Sequence, residues 1–203
     1  MGLSAWHDRT APKPFLATEI CINDKEHHSD GYLLALAYGQ TYHKLLTLTD
    51  AAWIGYCWTI LNVEQPSYGM TRSLFKINRQ NGFIPEPASA QLRAYGAYSR
   101  HIRRGMARIN AASDDSNLLA SAFKDENNRA TLVLLNRDVT AAKVQLHWTG
   151  AGLPIMELTD PYHQNTVLDA PTQGAQPLVV PAGAIVTLSD VPLVSLPDDF
   201  QIP

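Results

Sequence analysis

Glu19 is the residue whose type and position most clearly suggest chemistry. It directly follows residues 14–18, an apolar run set off by prolines and typical of a buried parallel strand. In α/β barrels, the C-terminal ends of such strands carry the catalytic groups. A carboxylate there can act as nucleophile or base in glycoside hydrolysis, because the oxocarbenium-like transition state needs a negative charge beside the anomeric carbon. The alternative is a strand-end glutamate paired with a neighbouring cation.

Trp58 and Glu64 are the candidates that lie near the next strand. Trp58 closes residues 51–58, an apolar run that we interpret as a second strand, apolar on both faces. Its ring is placed to stack on a pyranose, or else to fill the core, whereas Trp53 fits packing better. Glu64 lies in the following loop, and a second carboxylate about 5 Å from Glu19 would satisfy a retaining mechanism. A solvated loop glutamate is the simpler interpretation of Glu64.

Neither the histidines nor the cysteines indicate a site of their own. The polar loop after Glu19 contains the pair His27 and His28, but adjacent residues of a strand point to opposite faces, and no third ligand follows at a familiar spacing. We therefore expect no metal and no other cofactor. Cys21 and Cys57 would lie at the ends of neighbouring strands, where a disulfide is geometrically conceivable and free buried thiols are favoured.

The elements predicted for residues 1–105 form a β-α-β-α series. Between the two strands, Ser29 or Asp30 is suited to cap a helix whose buried face would consist of Leu34, Tyr38, Leu45 and Leu48. Residues 62–85 are expected to form a loop that is too long to be only a connector, which indicates a functional loop. A second helix is predicted from Pro87 to Arg103, stopped by Gly105, with a face of Leu92, Tyr95, Ser99 and Ile102.

The second half changes to short alternating strands separated by turn signals. We predict strands at 118–124, 130–136, 143–148, 154–159, 178–180 and 184–189, with a hairpin turn at 125–128. Strands of this length with no helix between them predict an antiparallel β-sandwich. Residues 106–203 are therefore assigned to a sandwich domain.

Composition excludes several classes of protein. The net charge is −3 without a Lys/Arg-rich stripe, which argues against a nucleic-acid partner. No apolar run approaches the length of a membrane span, and the first residues lack the pattern of a secretory signal. Charged residues are 17 % of the chain, below the usual level of about 25 %, a composition that weakly favours a polar, uncharged ligand such as a sugar.

Two β/α units do not close a parallel sheet, because both faces and both edges of such a sheet need cover. A complete (β/α)8 barrel takes about 250 residues. Residues 1–105 are therefore expected to be the end of a larger α/β domain whose beginning lies outside this chain.

Four segments together resemble the C-terminal part of a glycoside hydrolase family 30 enzyme. Residues 14–21 resemble the strand-7 segment with its Ser/Thr-Glu pair, and residues 52–62 resemble strand 8 with its second tryptophan. Residues 95–105 resemble the Gly-x-Phe-Ser-(Arg/Lys)-Phe-Ile-Pro-x-Gly segment that ends helix 8, without its proline. Residues 119–124 and 131–137 resemble the start of the family's β-sandwich.

This resemblance implies a fold, a reaction and its residues. The fold would be the last two β/α units of a (β/α)8 TIM barrel followed by an antiparallel β-sandwich. Glu19 would be the nucleophile of a retaining β-glycosidase, Trp58 would line the glycone subsite, and no cofactor would be needed. The acid/base would belong to the missing N-terminal barrel segment, the substrate would be a β-linked glycan or glycoside, and an extracellular or periplasmic location is favoured. Thr59, where some members have Asn, departs from the subsite pattern.

Two hypotheses other than a retaining β-glycosidase stay open on the sequence alone. One is a non-catalytic carbohydrate-binding or domain-packing β-sandwich with a helical extension, favoured by the absence of an acid/base from this chain. The other is the tail of an unrelated α/β hydrolase. Glu19 beside an aromatic-rich strand favours the retaining glycosidase over both.

Overall fold

The structure is a computed structural model that describes residues 3–11, 13–20, 22, 31–51, 53–56, 60–62, 74–77, 85–87, 90–170 and 177–193. The first half contains α1 (Leu3–Thr10), β1 (Leu16–Ile20), α2 (Gly31–Leu48), β2 (Trp53–Tyr56), β3 (Ile60–Asn62), β4 (Phe75–Ile77), β5 (Pro85–Pro87) and α3 (Ala90–Ser99). The second half contains β6 (Ala107–Ile109), β7 (Leu118–Lys124), β8 (Ala130–Asn136), β9 (Ala142–Val144), β10 (Ile155–Thr159), β11 (Thr166–Leu168), β12 (Leu178–Val180) and β13 (Ile185–Ser189). No helix in the described part of the chain is long and apolar enough to cross a membrane.

A six-stranded antiparallel sheet is the centre of the fold. Its strands lie in the order β11-β10-β13-β8-β7-β6, and the β9–β12 pair forms a second, smaller sheet. The β7–β8 hairpin turns at residues 125–128, where Asn128 adopts a positive φ of 65° that asparagine tolerates better than most residues. The antiparallel sandwich predicted for the second half is thus confirmed, and β7, β8 and β12 have the predicted limits.

The two faces of this sheet pack against different partners. Because successive side chains of a strand alternate, Leu134 of β8 and Val186 of β13 pack with β9 and β12, in a cluster that also contains Leu178 and Val180. The intervening Leu135 and Ile185 belong instead to a cluster with α2 and α3. One sheet therefore holds the small sheet on one face and the helices on the other.

Small residues let α2 and α3 approach the sheet closely. A Cβ atom added to Gly39 of α2 would lie 2.7 Å from Leu135 Cδ1 and 3.2 Å from Ile185 Cδ1. A Cβ atom on Gly96 of α3 would lie 2.8 Å from Asn165 Oδ1. The 2.7 and 2.8 Å distances are shorter than real Cβ contacts, so a larger residue at either position would require Leu135 or Asn165 to shift.

The predicted buried faces of the helices were partly wrong. On α2, Leu48 is 46 % exposed, although the other three predicted residues are buried. On α3, Ser99 is exposed and Leu92 only half-buried, whereas the buried residues are Gln91, Ala94, Gly96, Ala97 and Tyr98. Three of these five residues, Ala94, Gly96 and Ala97, are small, because α3 lies close to the sheet and to α2.

Other predicted limits also differ from the structure. Residues 62–85 are not simply a loop, because they include β4 and contribute to a three-stranded sheet of order β3-β4-β5. Pro87 ends β5, so α3 begins at Ala90 instead. Gly105 has a positive φ of 90° and forms the turn into β6, several residues after the helix has ended at Ser99. The proposed domain boundary at 105 and 106 stays a prediction.

Candidate active site

Glu19 lies next to the end of a short parallel strand. It is the penultimate residue of β1, which pairs in parallel with β2 and is connected to it through α2. The parallel strand predicted here is confirmed, but it is Leu16–Ile20 rather than residues 14–18. Glu19 therefore belongs to the strand instead of following it, and its side chain is exposed.

A break in the register of β1 determines which way Glu19 faces. Ala17 pairs with Ile54 and Ile20 pairs with Tyr56, so β1 has one residue more than β2 across this interval, as in a β-bulge. In a regular strand Glu19 would share a face with Ala17, which packs on the helix cluster. Because of the extra residue, Ile20 takes that face, and Glu19 is directed away from the core.

The backbone beyond Glu19 is held by α2. Ile20 is buried at 7 % exposure within the helix cluster, and Ile22 packs against the same cluster. The backbone N–H of Ile22 donates a hydrogen bond to the hydroxyl of Tyr38 at 3.1 Å, and Tyr38 is fully buried. The backbone on the C-terminal side of Glu19 is therefore anchored to the helices, which restricts where its carboxylate can lie.

The remaining candidates from the sequence lie outside the described residues. These are Trp58, Glu64, Cys21, Cys57, His27 and His28. Their distances from Glu19 therefore do not enter the description of the site. Among the residues that the structure does describe, no group of three His, Cys, Asp or Glu side chains is placed to hold a metal ion.

The sequence did not predict a cavity of about 950 Å³ on the helix side of β2. Tyr42, Tyr95 and Tyr98 form part of its wall, and the ring of Tyr42 meets those of Tyr95 and Tyr98 edge-on at 5.8 and 5.6 Å between centroids. Burial raises the pKa of Tyr42 well above its usual value, so its hydroxyl is uncharged at pH 7. Glu19 is not among the residues that line the cavity.

A histidine–serine pair was also missed by the sequence analysis. His43 of α2 lies with its Nδ1 2.7 Å from Ser121 Oγ of β7. Burial, followed by the positive charges of Arg137 and Lys44, lowers the pKa of His43 below its usual 6.5. The ring is therefore neutral at pH 7. Ser121 is only 1 % exposed, so this pair connects α2 to the sheet and is not placed to attack a substrate.

Comparison with known proteins relates the second half to a described family. Residues 105–188 match the family model of the glycosyl hydrolase family 30 beta sandwich domain. No curated protein sequence matches the chain. The match confirms that the chain resembles the C-terminal portion of a family 30 glycoside hydrolase, and it includes every strand from β6 to β12.

Several solved glycosidase structures have a similar fold. A family 30 endoxylanase from Clostridium papyrosolvens superimposes with a TM-score of 0.68 at 18 % identity, over 93 % of this chain and 46 % of that one. The family 30 xylanase C from Talaromyces cellulolyticus superimposes with a TM-score of 0.71 at 20 % identity, over 89 % of this chain and 41 % of that one. The endo-beta1,6-glucanase BT3312 superimposes with a TM-score of 0.64 at 13 % identity, over 92 % of this chain and 38 % of that one. At these identities the likeness shows the fold, and the chain spans less than half the length of these proteins.

Proposed function

We propose that this chain is the C-terminal part of a retaining β-glycoside hydrolase and that it carries the catalytic nucleophile. In this proposal residues 1–105 are the last two β/α units of a (β/α)8 barrel. The parallel β1–β2 pair, with α2 as its crossover connection, is the arrangement that such a barrel repeats. The family 30 sandwich at residues 105–188 supports the same assignment.

The observation that carries the proposal is the outward direction of Glu19 near the C-terminal end of β1. The extra residue between Ala17 and Ile20 directs the carboxylate away from the helices, toward the side where a barrel would bind substrate. Bulges of this kind often redirect a side chain beside an active site.

In the proposed reaction a Glu19 carboxylate oxygen attacks the anomeric carbon and displaces the leaving oxygen, forming a covalent glycosyl-enzyme. An acid/base from the N-terminal barrel segment protonates that oxygen and later removes a proton from the water that hydrolyses the intermediate. Trp58 stacks on the sugar in the glycone subsite. The substrate is a β-linked glycan or glycoside, met outside the cytoplasm, and neither metal nor other cofactor takes part.

The test is made in a longer protein in which the N-terminal barrel segment precedes this chain. Glu19→Gln should lower kcat by several orders of magnitude without changing the melting temperature. Glu19→Ala should regain turnover when azide is added, giving a glycosyl azide of α configuration, because the small anion occupies the space of the carboxylate. The control is Glu126→Gln, which changes an exposed carboxylate of the β7–β8 turn. Normal activity of Glu19→Gln, or azide rescue without inversion, would refute the assignment.

A second function is supported by the extent of the family match, which is confined to residues 105–188. In this alternative the sandwich serves as a non-catalytic carbohydrate-binding or domain-packing module. A retaining reaction needs two carboxyl groups about 5–5.5 Å apart, so the chain by itself should hydrolyse no aryl β-glycoside under either proposal. The proposals differ in whether the chain alone binds a glycan independently of Glu19. Retention of the chain on an insoluble β-glycan, unchanged by Glu19→Gln, would favour the alternative.

A further inference from the structure

Glu157 is a buried carboxylate at the contact between the sheet and the helices. It lies in the middle of β10 and its side chain is 1 % exposed. It pairs across the sheet with Thr187 of β13, whose hydroxyl donates to the carbonyl oxygen of Ala97 in α3 at 2.9 Å. Glu157 therefore lies on the face of the sheet that the helices cover.

The side chains of two residues that follow α3, Arg100 and His101, approach this carboxylate. Arg100 Nη2 lies 3.1 Å from Oε1 of Glu157, and His101 Nε2 lies 3.2 Å from Oε2. His101 is fully buried, whereas Arg100 is 38 % exposed. Basic groups just beyond the C-terminus of a helix also interact favourably with its dipole. We call Arg100, His101 and Glu157 the Glu157 cluster.

The rest of this contact has little directional preference. Its apolar part consists mainly of small and aliphatic residues, namely Gly39, Ala94, Ala97, Val133, Leu135 and Ile185, and burial of apolar surface is not directional. The contact includes one neutral pair of side chains, His43 and Ser121. Several other hydrogen bonds, such as Thr131 Oγ1 to the carbonyl of His101 and Tyr32 OH to the carbonyl of Thr159, end on main-chain oxygens. Every residue carries such an oxygen, so these bonds alone do not distinguish one docking position from the next.

We propose that the Glu157 cluster fixes a single orientation of the helices on the sandwich. A buried carboxylate without a partner is strongly unfavourable, so any docking that separates Glu157 from Arg100 and His101 is penalised. The other contacts stabilise the docking of the helices on the sandwich, and the Glu157 cluster determines the orientation in which they dock. Since α2 also holds the end of β1, the same three residues determine where Glu19 stands relative to the sandwich.

The test uses the 203-residue chain and three variants. Glu157→Leu removes the carboxylate that Arg100 and His101 approach and should lower the folding equilibrium constant by on the order of a hundredfold. The double variant His101→Phe/Glu157→Leu replaces the buried pair with apolar side chains and should recover most of that loss. The amide NMR signals of Gly96, Ala97 and Asn165 should nevertheless split or broaden in the double variant, because α3 then docks in more than one way. If Glu157→Leu does not fold, Glu157→Gln takes its place with a smaller loss.

The control is Thr187→Val, which removes a neutral hydrogen bond from the same contact without touching the charges. It should cost less than Glu157→Leu and leave one set of amide signals. A double variant with a single, native-like set of signals would overturn the proposal. So would a double variant that stays as unstable as Glu157→Leu, because the effect would then come from packing, and so would a loss in Glu157→Leu no larger than that of the control.

Discussion

The inner strands of the six-stranded sheet are paired on both sides, whereas β1 and β2 pair only with each other within the described residues. The sheet keeps an unbroken register, for example from Leu118–Asn136 to Lys124–Ala130 between β7 and β8. The pair that carries Glu19 has a register break. Regular alternation supplies two buried faces and therefore stability, while the irregular strand turns a polar group outward. In this chain stability and the candidate chemistry reside in different strands.

The largest difference between the two regions is expected on removal of a core side chain. Leu135 of β8 is fully buried, whereas Leu16 of β1 is 53 % exposed. Leu135→Ala should lower the free energy of unfolding by about 2–5 kcal/mol through lost burial and a cavity. Leu16→Ala should change it by less than about 0.5 kcal/mol. Urea unfolding followed by circular dichroism gives both values, and equal losses would show that β1 is as integral to the core as β8.

A smaller effect is expected where the helices touch the sheet. Gly39→Ala brings a methyl group to 2.7 Å from Leu135 Cδ1, an overpacked contact that should cost about 1–3 kcal/mol. The matched control is Gly152→Ala, whose added Cβ would meet Asp190 Cβ at an ordinary 3.7 Å. Both are measured by thermal unfolding. A stabilised Gly39→Ala would mean that Leu135 can move aside and that the approach of α2 is not limited by this glycine.

The helix–sheet contact should also respond to acid through His43. Since burial lowers the pKa of His43 in the folded chain below its usual 6.5, the unfolded chain binds the proton more readily. His43 therefore favours folding above that value, and this contribution is lost as the pH falls from 6.5 through the lower folded-state pKa. His43→Asn keeps a polar partner for Ser121 and should flatten this part of the pH dependence. Unfolding midpoints at pH 7.5 and 5 test it, and equal slopes for both proteins would contradict it.

The smallest expected effect concerns an exposed ion pair between the two regions. Arg108 of β6 lies with Nε 2.5 Å from Oδ1 of Asp50, just beyond α2. Asp50→Asn removes the charge but tolerates the positive φ of 45° at this position. Because both side chains are substantially exposed, the loss should stay below about 1 kcal/mol and vanish in high salt. A larger, salt-independent loss in the free energy of unfolding would indicate that this pair stabilises the contact between the two regions.

The sandwich could be predicted from the sequence because its strands and the turns between them have local sequence patterns. β7 and β8 are seven-residue, largely apolar strands joined by a turn sequence, and both were predicted to the residue. The short edge strands β6 and β11 were missed; each is defined by pairing with a single neighbour. The buried face of α3 was missed as well, because three of its five buried residues are small and lie close to the sheet and to α2.

For the candidate site, the sequence predicts a residue, Glu19, but not the geometry around it. Glu19 was singled out by its place after an apolar run, and the structure puts it next to the end of a parallel strand. Its direction depends on a register break against β2, which no local pattern in residues 14–20 reveals. The His43–Ser121 pair was hidden in the same way, since these residues lie 78 positions apart in the chain. Contacts of this kind appear only when the elements are assembled.

The position of β13 has a consequence for the order in which the molecule can be made. It lies between β10 and β8 at the centre of the sheet, although it follows all other strands of the sheet in the described sequence. Until residues 185–189 have been synthesised, β11-β10 and β8-β7-β6 are two separate ribbons with open edges, which are prone to pair wrongly. The sheet must therefore close late, after most of the chain has left the ribosome, and its closure is slow because its partners are distant in sequence. A premature stop before residue 185 would leave two unfinished sheets rather than a slightly shortened domain.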